Sequence, residues 1–126
     1  MCWHNFYGDG FSEKAANCHC TLCRKFHGAA FATLVSVTGL TWLSGAELLK
    51  HFTAGNGIQR SFYHECGTSL GFRVKGASME AMELAIATFN DAIPIKIDAQ
   101  IYTDDKANWC ELQPDLPVYL QGREDV

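Results

Sequence analysis

Three thiols stand within six residues, in the run Cys18-His19-Cys20-Thr21-Leu22-Cys23, and Arg24 and Lys25 follow at once. Thiolates crowded so closely repel one another and need a stabilising cation. Zinc supplies it: it binds sulfur at about 2.3 Å, accepts tetrahedral geometry and has no redox side reactions. The C-x-x-C half (Cys20, Cys23) closes a tight turn that aims two sulfurs at one point, and Cys18 can reach that point from an extended arm. Three protein ligands leave a fourth position free, and an open position separates a reactive zinc from a structural one.

Three other readings compete. Cysteines are often buried as small apolar residues, but His19, Arg24 and Lys25 are odd companions for that role. A C-x-x-C redox pair would open a helix after a strand, and Glu13 to Asn17 carry no strand alternation. An iron–sulfur cluster would want a fourth cysteine at a recognisable spacing. Zinc at Cys18, Cys20 and Cys23 is the favoured reading.

The chain has 126 residues, enough for one domain spanning 1–126 that buries about two-thirds of its unfolded surface. Ten basic and fourteen acidic side chains give a net charge of −4, which offers no electrostatic reason to bind nucleic acid. Met1 to Phe11 show neither a basic segment nor an apolar run of signal-peptide type. The most apolar stretch, Gly28 to Leu43, is broken by Thr33, Ser36, Thr38, Gly39 and Thr41 and is short for a membrane span. The expected location is the cytoplasm, where reducing conditions favour metal ligation over disulfides.

The coarse pattern is mainly β. Phe31, Thr33, Val35 and Val37 alternate with Ala32, Leu34 and Ser36, as in a half-buried strand. Leu49 to Thr53 and Ile58 to Tyr63 flank Ala54-Gly55-Asn56-Gly57, whose glycines and asparagine suit the positive φ of a hairpin turn. Ser69 to Val74 places Leu70, Phe72 and Val74 on one face, and Met82 to Phe89 repeats that pattern. Ile93, Ile95, Ile97 and Ile101 suggest a further edge beginning at Pro94. Ser44 to Glu47 fits a capping box for one turn, and Thr103 or Asp104 can cap a turn running to Trp109. The tail from Pro114 is polar and expected to wrap the surface. Trp42, Phe62 and Phe72 are core candidates, Cys110 reads as a small buried residue, and His27 and His51 have no partner legible in the sequence. His19 is expected beside the metal or in solvent rather than bound to it. An antiparallel β domain of small sheets with short helical turns is the expected architecture.

With these segments assembled, the chain resembles the glutathione-dependent formaldehyde-activating enzyme family, which includes centromere protein V. The matching pieces are Cys18-His-Cys-Thr-Leu-Cys-Arg-Lys25, Gly28-Ala-Ala-Phe31, Trp42-Leu-Ser-Gly45, Arg60-Ser-Phe62, Glu65-Cys-Gly-Thr-Ser-Leu70 and Trp109, spanning about residues 18–110. The resemblance implies an Mss4-like β-tent. It further implies zinc on Cys18, Cys20 and Cys23 and a carbon–sulfur lyase-type reaction joining glutathione and formaldehyde into S-hydroxymethylglutathione. Arg24 and Lys25 then become candidates for binding the glutathione carboxylates or for offsetting the negative zinc–sulfur centre. A non-catalytic zinc module that binds a thiol or a protein partner is the alternative; a chromatin role is weaker, given the acidic composition.

Family members typically hold a second zinc between an early C-x-C pair and a later C-x-x-C. Here Tyr63 stands where the first cysteine of the later pair is expected, and Cys2-Trp3-His4 replaces the early pair. Either that zinc is lost and packing around Tyr63 fills its place, or Cys2, His4, His64 and Cys66 rebuild a mixed site. Loss is the favoured reading, because His64 and Cys66 lie two residues apart and form no knuckle. The substrates, turnover itself and the oligomeric state are not legible in the sequence.

Overall fold

A computed structural model describes residues 5–8, 10–77 and 81–123. The chain packs as two compact units, Met1–Ser12 with Val35–Ile93, and Glu13–Leu34 with Pro94–Val126. Among the described residues it is mainly β, with one α-helix and short 3-10 turns, as the strand patterns predict.

In the first unit, β1 (Asn5–Tyr7) pairs antiparallel with β4 (Thr41–Ser44). A meander follows of β5 (Leu49–Thr53), β6 (Gln59–Tyr63), β7 (Ser69–Arg73) and β8 (Glu83–Ala85), each antiparallel to the next. The β5–β6 turn forms as the sequence predicts, but its parts divide the work. Gly57 alone takes a positive φ, 86°, while Asn56 acts through its side chain, whose Oδ1 accepts from the Ile58 N–H at 3.0 Å. Leu49, Tyr63, Leu70, Met82 and Leu84 are buried in this unit. Phe6 packs against Trp42 and Phe89 at ring distances of 5.2 and 5.3 Å, and Phe11 also meets Phe89.

The second unit contains the end of β2 (Gly10–Cys18), the start of β3 (Ala32–Thr38), the helix α1 (Thr21–His27) and β9 (Ala99–Ile101). β9 runs parallel to β2, with Ala16 opposite Ala99 and Cys18 opposite Ile101; this pair departs from the all-antiparallel expectation. Its buried apolar residues are Ala15, Ala16, Cys18, Cys23, Ala32, Leu34, Ala99 and Ala107. Side chains so small bury little area, about 0.8 kcal/mol per methyl group, so polar interactions carry more of this unit's stability. The tail does lie along the surface here. Gln100, 1% exposed, holds it: its Nε2 donates to the carbonyls of Gln113 and Leu116, its Oε1 accepts from the Gln113 N–H, and its backbone bonds Pro117 and Tyr119.

Several sequence expectations are corrected. Glu13 to Asn17 do form a strand, hidden from alternation because Ala15, Ala16 and Asn17 are all buried. β3 is buried on both faces, at Ala32 and Leu34 as well as Val35 and Val37. The strand expected to run to Phe89 stops at Ala85, where Thr88 Oγ1 donates to the Ala85 carbonyl at 2.7 Å and Ile86–Thr88 turns. Residues 92–98 form no strand; pairing starts at Ala99. Gly45, at φ 86°, precedes the Ala46–Leu48 turn without any side-chain cap, so Ser44 is not the capping residue. The turn at Thr103 ends by Asp105, and the Thr103 hydroxyl donates to the Tyr119 carbonyl instead of capping. Trp109 is 68% exposed and Cys110 only half-buried. Trp42, Phe62 and Phe72 are likewise half-buried.

Candidate metal centre

Three local structures bring the sulfurs together. Cys18 ends β2 in extended backbone, and the next peptide is pinned by the His19 N–H donating to the Ile101 carbonyl at 2.9 Å. Asn17, buried beside it, accepts from Thr33 Oγ1 at 2.8 Å, tying β2 to β3. Cys20 is the N-cap of α1, with φ −63° and ψ 151°, and its Sγ accepts from the Cys23 N–H at 3.3 Å. Cys23 sits in the first helical turn, where a thiolate gains from the free N–H groups of the helix start. Gly28, in the left-handed region at φ 62°, closes the helix after two turns by donating to the Arg24 carbonyl.

The ligand atoms of Cys18, Cys20 and Cys23 all lie within 4.8 Å of one another. Tetrahedral zinc at about 2.3 Å from each sulfur would set them about 3.8 Å apart, so small side-chain rotations suffice. The donor set therefore fits a thiophilic metal. Cys18 and Cys23 are buried and Cys20 is half-buried, and among the described residues no fourth Cys, His, Asp or Glu joins them. None of the three is in a disulfide. Hydrogen bonds with the Cys20 and Cys23 sulfurs, then burial and the charge of Cys23, push the Cys18 thiol far above its ordinary range. The Cys18 thiol therefore holds its proton until a cation displaces it.

His19, expected beside the metal or in solvent rather than bound to it, is buried, at 1% exposure. Its ring packs on Phe31 with centroids 5.0 Å apart, and its Nδ1 has no hydrogen-bond partner. Burial first, then the charges of Lys106 and Arg24, hold it below its usual pKa. Its buried ring favours the neutral form. Arg24 lies along the helix, its Nη2 donating to Thr21 Oγ1 at 3.4 Å while its buried Nε lacks a partner. Lys25 is exposed.

Lys106 is a residue the sequence reading missed. Its Nζ donates to the carbonyls of Ala107 and Cys110, at 3.2 and 2.7 Å, which fixes a cation close enough to act on His19. No spacing signal connects it to residues so far upstream.

Cys2 and His4, the proposed partners in a second site, lie outside the described residues. Tyr63 is fully buried, and that burial pushes its hydroxyl pKa up. His64 and Cys66 are exposed in the turn that follows, with Cys66 Sγ 3.0 Å from Thr68 Oγ1. Cys66 is disulfide-bonded, which departs from the expectation that metal ligation is favoured over disulfides. Among the described residues, the Cys18 trio is the one convergent group of three or more ligand side chains.

The fold has a solved counterpart. A crystal structure of a Rhodobacter sphaeroides protein superposes with a TM-score of 0.55 at 21% identity, covering 75% of this chain and 89% of that one. At that identity the likeness speaks for the fold alone. No curated protein sequence matches the chain. The model of the glutathione-dependent formaldehyde-activating enzyme family matches residues 5–105, extending the resemblance upstream of the cysteine run into β1, and the chain belongs to that family.

Proposed function

We propose that the protein is a zinc-dependent carbon–sulfur lyase-type enzyme acting on glutathione and formaldehyde. In the synthetic direction, the glutathione sulfur bonds to the aldehyde carbon and the thiol proton ends on the carbonyl oxygen, with no net redox change. The single observation that carries this reading is the convergence of Cys18, Cys20 and Cys23 within 4.8 Å, without a fourth ligand among the described residues. When bound, zinc would supply a cationic centre that favours the thiolate form of an incoming thiol.

The chain's own residues do the rest. Three cysteinates outweigh a divalent cation by one negative charge, and Arg24 and Lys25, which follow Cys23 directly in the chain, are the candidates to offset it. Exposed Lys25 and the Arg24 guanidinium are the candidates to pair with substrate carboxylates. His19, between Cys18 and Cys20 in the chain, packs on Phe31 and is shielded from water. A reducing, cytoplasmic setting belongs to this reading, because the trio must stay reduced rather than form a disulfide.

Adduct formation is followed by exchange NMR, with and without the metal-loaded protein. Accelerated exchange that disappears in Cys23→Ala is the expected result; an unchanged rate at stoichiometric protein would sink the enzymatic reading. One observation favours a second reading, a non-catalytic thiol-binding module. His19, the titratable group between the cysteines, is buried and holds no proton donor toward solvent. Tight calorimetric binding of glutathione without accelerated exchange would select that reading.

A further inference from the structure

In the unit that carries the meander, Thr53, Gln59 and Arg73 are successive register partners across β5, β6 and β7. Their side chains therefore stand in one row on one face of the sheet. The row is wired in a single direction. Arg73 donates to Gln59 Oε1 through both Nε, at 2.8 Å, and Nη2. That fixes the amide, whose Nε2 donates to Thr53 Oγ1 at 3.3 Å. With its oxygen already accepting, Thr53 keeps a hydroxyl hydrogen to give away.

A surface cavity of about 240 Å³ opens on this row, lined also by Gly57, Lys75 and Gly76. A Cβ placed on Gly57 would meet Lys75 Cβ and Cδ at 2.9 Å. The bare glycine thus lets the lysine stem lie across the turn, and Lys75 also lines the cavity. Among the described residues, none that lines the cavity carries a carboxylate. The side-chain acceptors of the row are used internally, whereas Arg73 Nη1, the Thr53 hydroxyl and the Lys75 ammonium remain as donors. Two of those three groups are cations.

We propose that this cavity binds an oxyanion, the carboxylate or phosphoryl group of a small molecule. The internal Gln59 bond holds the guanidinium plane in place, so little side-chain freedom is lost when a ligand arrives. Its volume lies below the ~300–1,000 Å³ of pockets for drug-sized ligands, which suits one ionised group with a few attached carbons. This site is independent of the cysteine trio and of the reaction proposed for it.

The test is an NMR titration of the full-length, metal-loaded protein with inorganic phosphate and, separately, with acetate, at constant ionic strength. Saturable shifts of the Arg73 Nε–H signal and of the Gly57 and Gly76 amides are expected for at least one of them. Saturation by phosphate alone assigns the phosphoryl source, and saturation by acetate alone assigns the carboxylate. Lys75→Ala, on an exposed turn where folding is not at stake, should weaken binding about tenfold. Thr53→Val should weaken it with the Arg73–Gln59 pair intact. Shifts that stay linear for both anions, or a saturation curve unchanged in both variants, would overturn the proposal.

Discussion

The sulfur of Cys20 accepts a hydrogen bond from the backbone N–H of Cys23 at 3.3 Å, and Cys20 is also the N-cap of the helix that carries Cys23. Capping and ligand placement are therefore one event. Seven residues make a helix too short to persist alone, so its stability depends on that cap and on whatever the sulfurs bind. Cys20→Ser separates the two roles, since serine caps well but is a poor zinc ligand. The variant should keep amide protection across α1 at high metal concentration while losing metal affinity by at least about 100-fold. Metal content per chain and hydrogen exchange read the two effects separately. A variant that retains metal as tightly as the parent would remove Cys20 from the centre.

The convergent cysteines were legible because their chemistry is local: three thiols within six residues restrict what the chain can do there. Hairpin β5–β6 and strand β7 were legible for the same reason, as turn residues and period-two alternation lie side by side in the sequence. Long-range pairing was not. β2 shows no alternation because consecutive small residues such as Ala15 and Ala16, which point to opposite faces of the sheet, are both buried. Its existence places a strand directly before the C-x-x-C helix, the context whose apparent absence argued against a redox pair. What now separates the readings is Cys18, whose sulfur joins the other two and makes a trio rather than a dithiol. The burial of His19 and the approach of Lys106 depend on the parallel β2–β9 pairing, which no local pattern announces.

Gln100 links β9 to the tail through three side-chain hydrogen bonds while being 1% exposed. Gln100→Leu keeps the volume but strands the Gln113 N–H and two carbonyls beside an apolar group. Each unsatisfied buried group costs about 1–3 kcal/mol, and partial access to water lowers the sum. A loss of about 2–4 kcal/mol in urea unfolding is expected, together with faster proteolysis of the segment after Gln113. A variant within about 0.5 kcal/mol of the parent would show that the tail is held by other contacts.

Gly71 of β7 faces Leu84 of β8 in the antiparallel pair. A Cβ there would stand 2.0 Å from the Glu83 carbonyl oxygen and 3.1 Å from Leu84 Cα. Both neighbours are backbone atoms and cannot rotate away, so an added methyl must spread the strands. Gly71→Ala should cost about 2–4 kcal/mol and weaken β7–β8 protection in hydrogen exchange. A melting temperature within about 3 °C of the parent, less than about 1 kcal/mol, would contradict that geometry.

Asp98 and Arg123 close the second unit electrostatically. Arg123 Nη2 donates to Asp98 Oδ1 and Nη1 to Oδ2 at 3.3 Å, while the Ala15 N–H donates to Oδ1 at 3.2 Å. Burial alone would raise the Asp98 pKa, but the hydrogen bonds from Arg123 and Ala15 and the Arg123 charge outweigh it and hold the carboxyl below its ordinary range. Below a pH of about 4 the unfolded chain takes up the proton more readily than the folded one. The stabilisation is thus fully present above the ordinary carboxylate pKa and is lost as pH falls through the lower folded value. The Asp98 side chain is 43% exposed, so screening limits the contribution to about 0.5–1 kcal/mol. Asp98→Asn should melt about 2–4 °C below the parent at pH 6.5 in low salt. That gap should narrow as the pH drops below about 4, and should also narrow in 1 M salt. Acid displacement of metal affects both proteins alike, so the difference between them isolates the ion pair. A gap that stays constant from neutral pH to about pH 3 would mean that the substitution perturbs packing and that the ion pair contributes nothing measurable.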